Sequence, residues 1–447
     1  MPLAQLTTFI DAASSNAAKS GLSLIKANSL PNNTFLSDTN PLKADAKLAI
    51  KNHFRSIAPI FFSSDDAKSY LAVSSILHCF DGWSYLSNSI SALLNGDIGI
   101  SIHLAYYAEL RAGMSFLASE GIGIFDKEHF CIDDQNKIIK STDKRGTHES
   151  LWHTLHYWIQ NISKPTDILK YFSYGGKNFE EWIHFIPGAN SPNILTTVTK
   201  FWLTDWSFDI QNYKDDRNGR NMFSYRPTKM KNISVSNLQD RIEILNKYWK
   251  LLEPSGSNRF HLLDKYLFAM LFNQIHENAV PSSTPLTKTD RMNQTLISAG
   301  TGIDPSLITM INANNPPLLL SNSLNKVIDT LTGFIDPLSV IARALLMLRI
   351  SSGATNFLLS NAGISKRELN FYWELVGVDY GFWKPGSMPP TFEDLWTDID
   401  EAIVDVSDWS SNITAANNNL KSLFEKNIPS QNFYTQFNRA AFWGTGF

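Results

Sequence analysis

Hydrophobic residues recur at intervals of three and four positions along most of the chain, and this spacing predicts helices that each bury one face. One long segment of this kind starts at Asp65-Asp66 and stops at Asn95-Gly96, and a second runs from about Ile98 to Glu120. Because only a short glycine-containing turn separates them, we expect the two helices to pack antiparallel, as in a bundle.

The same spacing predicts helices over most of the remaining chain. The polar stretch 125–146 fits a small hairpin or an ordered loop, and Thr147 is a good N-cap for the helix that follows. Further helices are predicted at 165–173, 178–185, 191–210, 235–252, 259–276, 291–299, 305–313, 320–332, 337–360, 365–376, 391–405 and 409–425. The sequence has no internal repeat and no sustained strand alternation, so it predicts an all-α fold.

Pro, Ser and Thr are concentrated between Glu277 and Asp290, which makes this segment the best candidate for a domain boundary. A chain of 447 residues is also too long for one ordinary hydrophobic core. We therefore predict two closely packed helical domains. Residues 1–280 would form the bundle-like domain that carries a phosphate-binding cluster, and residues 281–447 a helical domain with a regulatory or interaction role.

Composition narrows the class of protein. The chain is 43% hydrophobic and 18% charged, which indicates a folded protein with a large core. A formal net charge of −3 gives no support for whole-protein attraction to nucleic acid or to an anionic membrane, so any such site must be a local patch. Cys79 and Cys131 provide no disulfide framework and no structural zinc site, which fits a reducing, cytoplasmic setting.

The apolar segments suggest a soluble chain that does not enter a membrane. The N-terminus lacks a basic segment followed by a continuous apolar one, so we predict no signal peptide. The apolar run 337–350 is interrupted by Arg343 and Arg349, which we expect to snorkel or to pair with carboxylates such as Asp394, Asp398 or Glu401. The aromatic C-terminus, FNRAAFWGTGF, is too apolar to remain loose in water, and we expect it to dock within the chain, with docking onto a second subunit as the alternative.

Polar residues are densest between Asp216 and Pro227, where three arginines stand among two asparagines, a serine and a tyrosine. Guanidinium forks beside amide and hydroxyl donors suit an anion, above all a phosphate. Met222 and Phe223 interleave with the polar residues and indicate partial burial, and a buried arginine needs a carboxylate or a bound anion. The alternative is an exposed turn at Asn218-Gly219, with the arginines solvated or paired to nearby aspartates.

A second polar cluster lies in the segment RGTHESLWHTLHYW. His148 stands at a helix start beside the fixed charge of Arg145, which suits a phosphate contact or an acid/base group, and His153 follows one turn later. A capping and packing role is the alternative. Because no carboxylate or thiol stands at familiar ligand spacing, we predict no metal site.

Glu109 and Arg111 lie on a predicted helix two residues apart, so they point to different flanks and are not each other's partners. One interpretation is that one of them faces an interior polar site. The other is that both lie on a solvated helix face.

Residues 60–250 resemble a HEPN-type helical ribonuclease domain. The resemblance rests on the helix YYAELRAGMSFLASEGI and on Arg220-Asn221, followed four residues later by the polar aromatic Tyr225. In that family an Arg, often followed by Asn, and a His four to six residues further on cleave RNA without a metal, usually across a dimer interface. Here Tyr225 stands where the His is expected, and a tyrosine with a pKa of about 10 is a poor general base. The resemblance then requires that His148 or His153 supply the proton transfer, or that the domain bind nucleic acid or nucleotide without cutting it.

The leading hypothesis is therefore a cytoplasmic, HEPN-like, RNA-directed protein that needs no cofactor. Arg220 and Tyr225 would lie around the phosphate, Arg145 would support the anion, and His148 would transfer the proton. The remaining candidate binding residues are Asn221, Arg226, Glu109, Arg111 and His153. The resemblance further implies a homodimer and a role in toxin or anti-phage defence. The alternative is a non-catalytic helical scaffold or sensor that binds a protein partner.

Overall fold

The computed structural model describes residues 3–57, 61–161, 164–189, 192–205, 210–225, 237–256, 259–278, 286–313, 315–326, 336–412 and 428–445. Of these residues 74% are helical and 3% lie in strands, which confirms the all-α prediction. The strands are β1 (Ile122–Gly123), β2 (Phe130–Ile132), β3 (Ile138–Lys140), β4 (Ser173–Tyr174) and β5 (Lys177–Asn178).

The α-helices are α1 (Leu3–Ala12), α2 (Ser15–Asn28), α3 (Pro41–Arg55), α4 (Ser64–Leu94), α5 (Ile98–Ser119), α6 (Thr147–Gln160), α7 (Phe179–Phe185), α8 (Pro192–Asp205), α9 (Ile210–Tyr225), α10 (Leu238–Leu252), α11 (His261–Asn278), α12 (Lys288–Ser298), α13 (Pro305–Ala313), α14 (Leu318–Leu324), α15 (Pro337–Asn361), α16 (Asn370–Asp379), α17 (Leu395–Ser411), α18 (Ile428–Thr435) and α19 (Ala440–Gly444). Short 3-10 helices span Leu30–Asn32, Lys164–Tyr171, Lys366–Leu369, Phe392–Asp394 and Phe437–Arg439.

Helices α4 and α5 form the antiparallel pair that their spacing predicts. Ser63 and Asp66 cap the start of α4, each side chain bonding the other residue's backbone N–H. Gly96 turns the chain with a φ of 81°, a backbone conformation that glycine adopts without strain. The hydroxyl of Ser89 donates to the carbonyl of Ser101 at 2.7 Å, and that bond ties the two helices near their turn.

Helix α15 packs against both α4 and α5 and completes the centre of the molecule. Gly82 marks the close approach, because a Cβ atom there would lie 2.7 Å from Leu348 Cδ2 and 3.2 Å from the carbonyl oxygen of Ala108. Hydroxyl groups complete the contact between the helices, with Ser351 Oγ 2.7 Å from Ser115 Oγ. The three helices therefore meet through small and hydroxyl-bearing residues.

One hydrophobic core runs through both parts of the predicted division at residue 280. It includes side chains from Leu6 to Trp443, and among the residues described a second, smaller cluster occurs only near α3 and β2. The described residues of 281–447 thus share their core with 1–280, because α15 fills the space beside α4 and α5. The predicted C-terminal domain has no separate core of its own within the described ranges.

By length and composition α15 is the one helix, among those described, that is able to cross a membrane. The whole of its apolar window is buried inside the protein.

The arginines of α15 have partners other than those expected. Arg343 is bonded through two nitrogens to the carboxylate of Asp216, and Arg349 binds Asp264 with two bonds of 2.7 Å. Both arginines are buried, so neither snorkels to the surface. The prediction of partners in 394–401 was wrong because α15 lies inside the bundle, where α9 and α11 supply the carboxylates.

The C-terminal segment docks within the chain, as predicted. Phe442 and Trp443 in α19 are both only 1% exposed, and the indole nitrogen of Trp443 donates to the carbonyl of Leu252 at 3.1 Å. The aromatic end is therefore part of the common core.

The segment around Asp216 departs from the expected break in the helical pattern. Residues 210–225 form helix α9, and the turn signal at Asn218-Gly219 lies inside it. The buried side chains of α9 are spaced as on one helix face: Tyr213, Asp216, Arg220 and Phe223. Packing of that face against α5 and α6 overrides the local preference for a turn.

The polar stretch 125–146 contains the predicted hairpin. Strands β2 and β3 pair antiparallel, with Ile132 opposite Ile138, and β1 adds a third strand to β2. The helix that follows starts at Thr147, as expected, but its N-cap is Gly146 rather than Thr147. The Thr147 hydroxyl instead accepts a hydrogen bond from the backbone of Asp126.

We expect Arg349→Met to lower the free energy of unfolding by about 3–5 kcal/mol, because it leaves the Asp264 carboxylate buried without its cation. Lys247→Met, which breaks an exposed pair with Glu243, is the control and should change it by less than about 1 kcal/mol. Urea unfolding followed by circular dichroism measures both. Equal losses in the two variants would show that the buried pair does not stabilise the fold.

Candidate functional site

Helix α9 places three basic residues at intervals of three positions. Lys214, Arg217 and Arg220 follow one another along the helix, and α9 packs against α5 and α6. Lys214 is exposed, Arg217 is intermediate and Arg220 is only 8% exposed. The basic row therefore runs from solvent into the interface between the helices.

Arg220 lies against two tyrosines of α5. Its guanidinium carbon is 5.4 Å from the ring centroid of Tyr106 and 5.5 Å from that of Tyr107, both within cation–π range. Its Nη1 donates to the side-chain oxygen of Asn221 at 2.8 Å, while its buried Nε has no hydrogen-bond partner within the described residues. No carboxylate of those residues lies within ion-pair distance of Arg220.

His148 meets Arg220 from the start of α6. The Nε2 atom of His148 is 3.4 Å from Nη2 of Arg220, and its Nδ1 is 3.1 Å from the hydroxyl of Tyr106. Arg220 has only donors to offer, so Nε2 is the unprotonated nitrogen and Nδ1 carries the hydrogen. Burial, followed by the charges of Arg220 and Arg217, lowers the pKa of His148 to about 4. The imidazole is therefore neutral at pH 7.

A cavity of about 30 Å³ lies beside His148. It is lined by His148, Glu149, Trp152, His153, Lys214 and Arg217. The Arg217 guanidinium pairs with Glu149 at 2.9 Å, and burial followed by the Arg145 charge lowers the pKa of His153 to about 4. The cavity has room for water but not for a nucleotide.

Glu109 does face an interior polar site, which was one of the two interpretations of its position. Its carboxyl group is fully buried, 3.7 Å from Arg343, which itself pairs with Asp216. Burial, followed by the Asp216 carboxylate, holds the pKa of Glu109 well above its usual range. With Glu109 a neutral acid, the one cation, Arg343, balances the one carboxylate, Asp216.

Arg111 points away from Glu109, as their spacing predicts. Its Nη1 lies 2.9 Å from Nδ1 of His78 and 3.7 Å from a carboxylate oxygen of Asp81. These contacts place Arg111 in a polar group between α4 and α5, separate from the Arg343 cluster.

Arg145 is held by a carboxylate of its own loop. It forms bonds of 2.9 and 3.1 Å with Asp143, and hydrogen bonds from Arg145 and Ser150 lower the pKa of that acid to about 2 although burial opposes the shift. Asp143 thus occupies the Nε and Nη2 edge of the guanidinium, the edge that would otherwise bind an anion with two bonds. Tyr225 ends α9 and its side chain is not among those described, and Arg226 lies outside the described residues.

The structure therefore brings together Arg220, Asn221 and His148, with His153 nearby, whereas Arg145, Glu109 and Arg111 each have charged partners of their own. The sequence analysis missed Tyr106 and Tyr107, which form the wall of the site, and also Lys214; it included Arg217 only as one of the three arginines of the polar cluster. The tyrosines stand side by side in the run YYAELR, one turn before Glu109. The spacing of the basic row would have been visible if α9 had been predicted to be a helix.

No group of three or more His, Cys, Asp or Glu side chains suited to a metal ion occurs in the part of the chain described. The site contains a buried cation, Arg220, and a neutral imidazole, His148. Such a pair is able to hold an anion and to accept a proton from a neighbouring hydroxyl.

Comparisons of the chain with protein-family models, with curated protein sequences and with solved structures found no match.

We expect Glu109→Gln to change how stability depends on pH. The raised pKa means that the native state keeps a proton that the unfolded chain loses, so the contribution of Glu109 to the free energy of unfolding falls as pH rises above about 4.5. Glutamine needs no proton. The free energy of unfolding of the variant, relative to that of the wild type, should therefore rise by up to about 1.4 kcal/mol per pH unit from pH 4.5 to 7. Urea unfolding at several pH values measures the difference.

Two variants complete this test. Asp216→Asn removes the carboxylate that pairs with Arg343 and should lower the free energy of unfolding by about 3–5 kcal/mol at pH 7. Glu243→Gln, at an exposed position, should change stability by less than about 0.5 kcal/mol at any pH. If Glu109→Gln loses stability relative to the wild type as pH rises, Glu109 is ionised in the native protein.

Proposed function

We propose that the chain is a HEPN-like, RNA-directed protein whose site is formed by Arg220, Asn221 and His148. The proposal includes metal-independent cleavage of RNA in a cytoplasmic toxin or anti-phage defence system, and assembly as a homodimer. The cellular role and the dimer rest on the family resemblance, whereas the phosphate site rests on the contacts around Arg220.

The observation that carries the proposal is a buried arginine that has no carboxylate partner among the described residues. Arg343 and Arg349 are buried too, and each has a carboxylate bonded to two of its nitrogens. Arg220 has instead two tyrosine faces, one amide and a neutral imidazole in the part of the chain described. A buried guanidinium is costly without an anion, and a phosphate would supply both the charge and the acceptors.

The position of His148 suits proton transfer next to such a phosphate. Its unprotonated Nε2 faces Arg220, so a phosphate held by Arg220 would bring the adjacent ribose 2′-hydroxyl towards that nitrogen. His148 would accept the hydroxyl proton as the oxygen attacks the phosphorus, the 5′-oxygen of the next nucleotide would leave, and Arg220 would stabilise the charge that develops. The hydroxyl of Tyr106 holds the imidazole in the required tautomer.

The second candidate is a non-catalytic helical scaffold or sensor that binds a protein partner. It is favoured by the burial of Arg220, which is only 8% exposed, and by the small volume of the cavity beside His148. In that case the guanidinium serves to hold α9 against the tyrosines of α5.

Cleavage of single-stranded RNA in EDTA tests the proposal. We expect Arg220→Ala and His148→Ala to lower the rate by about 10²–10⁴, because each removes a group that acts in the transition state. Arg55→Ala, at an exposed arginine outside this site, should cleave at the wild-type rate. Equal cleavage by all four proteins would contradict the assignment of Arg220 and His148 as catalytic residues. Absence of cleavage by the wild type would favour the non-catalytic scaffold.

The dependence of kcat/KM on pH gives a separate prediction. If His148 is the general base, kcat/KM should rise as pH increases through about 4, where the imidazole loses its proton, and should not rise again near 6.5. A pKa near 6.5 on the rising, acid-side limb of the profile would show that His148 in the free enzyme does not have the environment described above.

A further inference from the structure

A cleft of about 590 Å³ lies away from Arg220. Its walls come from the C-terminal third of α4, from the turn that follows α16, and from α18 with the 3-10 helix after it. This volume lies within the range of about 300–1,000 Å³ that small-molecule sites occupy.

The wall formed by α4 is a stripe of small polar residues. Ser84, Ser87, Asn88 and Ser91 follow the spacing of one helix face, although the helix is otherwise largely buried. Some of this polarity has a structural use, because Ser87 donates to the carbonyl of Thr435 at 2.8 Å. For Asn88 and Ser91 the described residues provide no side-chain partner.

None of the residues that line the cleft carries a charge. Arg439 lies behind the wall, fully buried between the rings of Phe382 and Phe433, and it pairs with Asp398 at 2.6 Å. Its Nε donates to the side-chain oxygen of Gln436, so the amide group of Gln436 remains a donor. A cleft without a cation does not suit a phosphate or a carboxylate, and a ligand without polar groups would leave these amides and hydroxyls unbonded.

Asn438 provides an independent observation. It is one of the residues that line the cleft and is only 5% exposed, and its Oδ1 has no hydrogen-bond partner in the described structure. A buried acceptor of this kind is costly unless a ligand or a water bonds to it.

An aromatic surface stands at the mouth of the cleft. Tyr380 is 44% exposed, and its ring stacks on that of Phe382 with centroids 5.6 Å apart and planes 24° apart. Its hydroxyl lies 2.7 Å from Ser84 Oγ, which fixes the ring in place. The electron-rich face of such a ring attracts the polarised C–H groups on the flat side of a sugar.

We propose that this cleft binds a neutral saccharide. The combination of mixed amide and hydroxyl groups, an unbonded buried acceptor and a fixed tyrosine face matches a ligand that is rich in hydroxyl groups, uncharged, and apolar on one side. The site is separate from the proposed RNA site and does not depend on it.

Calorimetric titration of the full chain tests the proposal, with glucose, galactose, mannose, N-acetylglucosamine, maltose and cellobiose as probes. We expect saturable binding of at least one of them in the millimolar range or tighter. Tyr380→Ala and Asn438→Leu should each weaken it by roughly tenfold, the effect of one lost contact of this kind. Asn438→Leu should not lower the melting temperature, because the Oδ1 that it removes bonds to nothing in the described structure.

Two further variants distinguish binding from folding. Ser91→Trp places a large side chain in the cleft and should abolish binding, whereas Phe201→Ala removes an exposed aromatic ring elsewhere and should have no effect. Adenosine and decanoate serve as probes of other chemistry. Absence of saccharide binding, stronger binding of adenosine or decanoate in the cleft, or unchanged binding by Ser91→Trp would overturn the proposal.

Discussion

The buried ion cluster of Arg343, Asp216 and Glu109 determines where helix α9 lies. Arg343 comes from the central helix α15, Asp216 from α9 and Glu109 from α5, so the three helices meet at one set of charges. Arg343 also donates to the carbonyls of Ser323 and Asn325, and these bonds hold the C-terminal end of α14 against α15. A carboxylate of α9 inside the bundle requires this cation, and the register of α9 follows from it. Arg220 stands one helical turn beyond Asp216 and is brought to His148 as a consequence.

The two ends of the α9 interface differ in how their charges are balanced. At Asp216 the charges cancel, because Glu109 keeps its proton and Arg343 carries one bidentate bond. At Arg220 a cation of similar burial faces aromatic rings and an imidazole with a low pKa. This imbalance within the described residues distinguishes a site that is able to take an anion from a cluster that holds the fold together. The neutral cleft near Asn438 completes the contrast, since it offers hydrogen bonds without any charge.

Local sequence signals predicted the helices where periodicity and capping agreed. The bounds of α4 and α5 follow from Ser63, Asp66 and Gly96, and the docking of the aromatic C-terminus follows from its hydrophobicity. The helix at 210–225 was missed because Asn-Gly and a run of charges suggest a turn. Only the tertiary packing around Tyr213 and Phe223 buries that face and so stabilises the helix. The partners of Arg343 and Arg349 were missed for a related reason, since ion pairs between residues 85 and 127 positions apart leave no local pattern.

By itself the sequence determined the helical class, the absence of a disulfide framework, and the presence of an Arg-Asn pair that needs an acceptor. These properties depend on residue type and on spacing within one turn or two, where backbone geometry fixes the neighbours. Only the tertiary structure decided that Arg145 belongs to Asp143, that His148 faces Arg220, and that Glu109 is a neutral buried acid. Each of these depends on which helices pack together, because burial and the distance to a distant charge set both the partner and the proton.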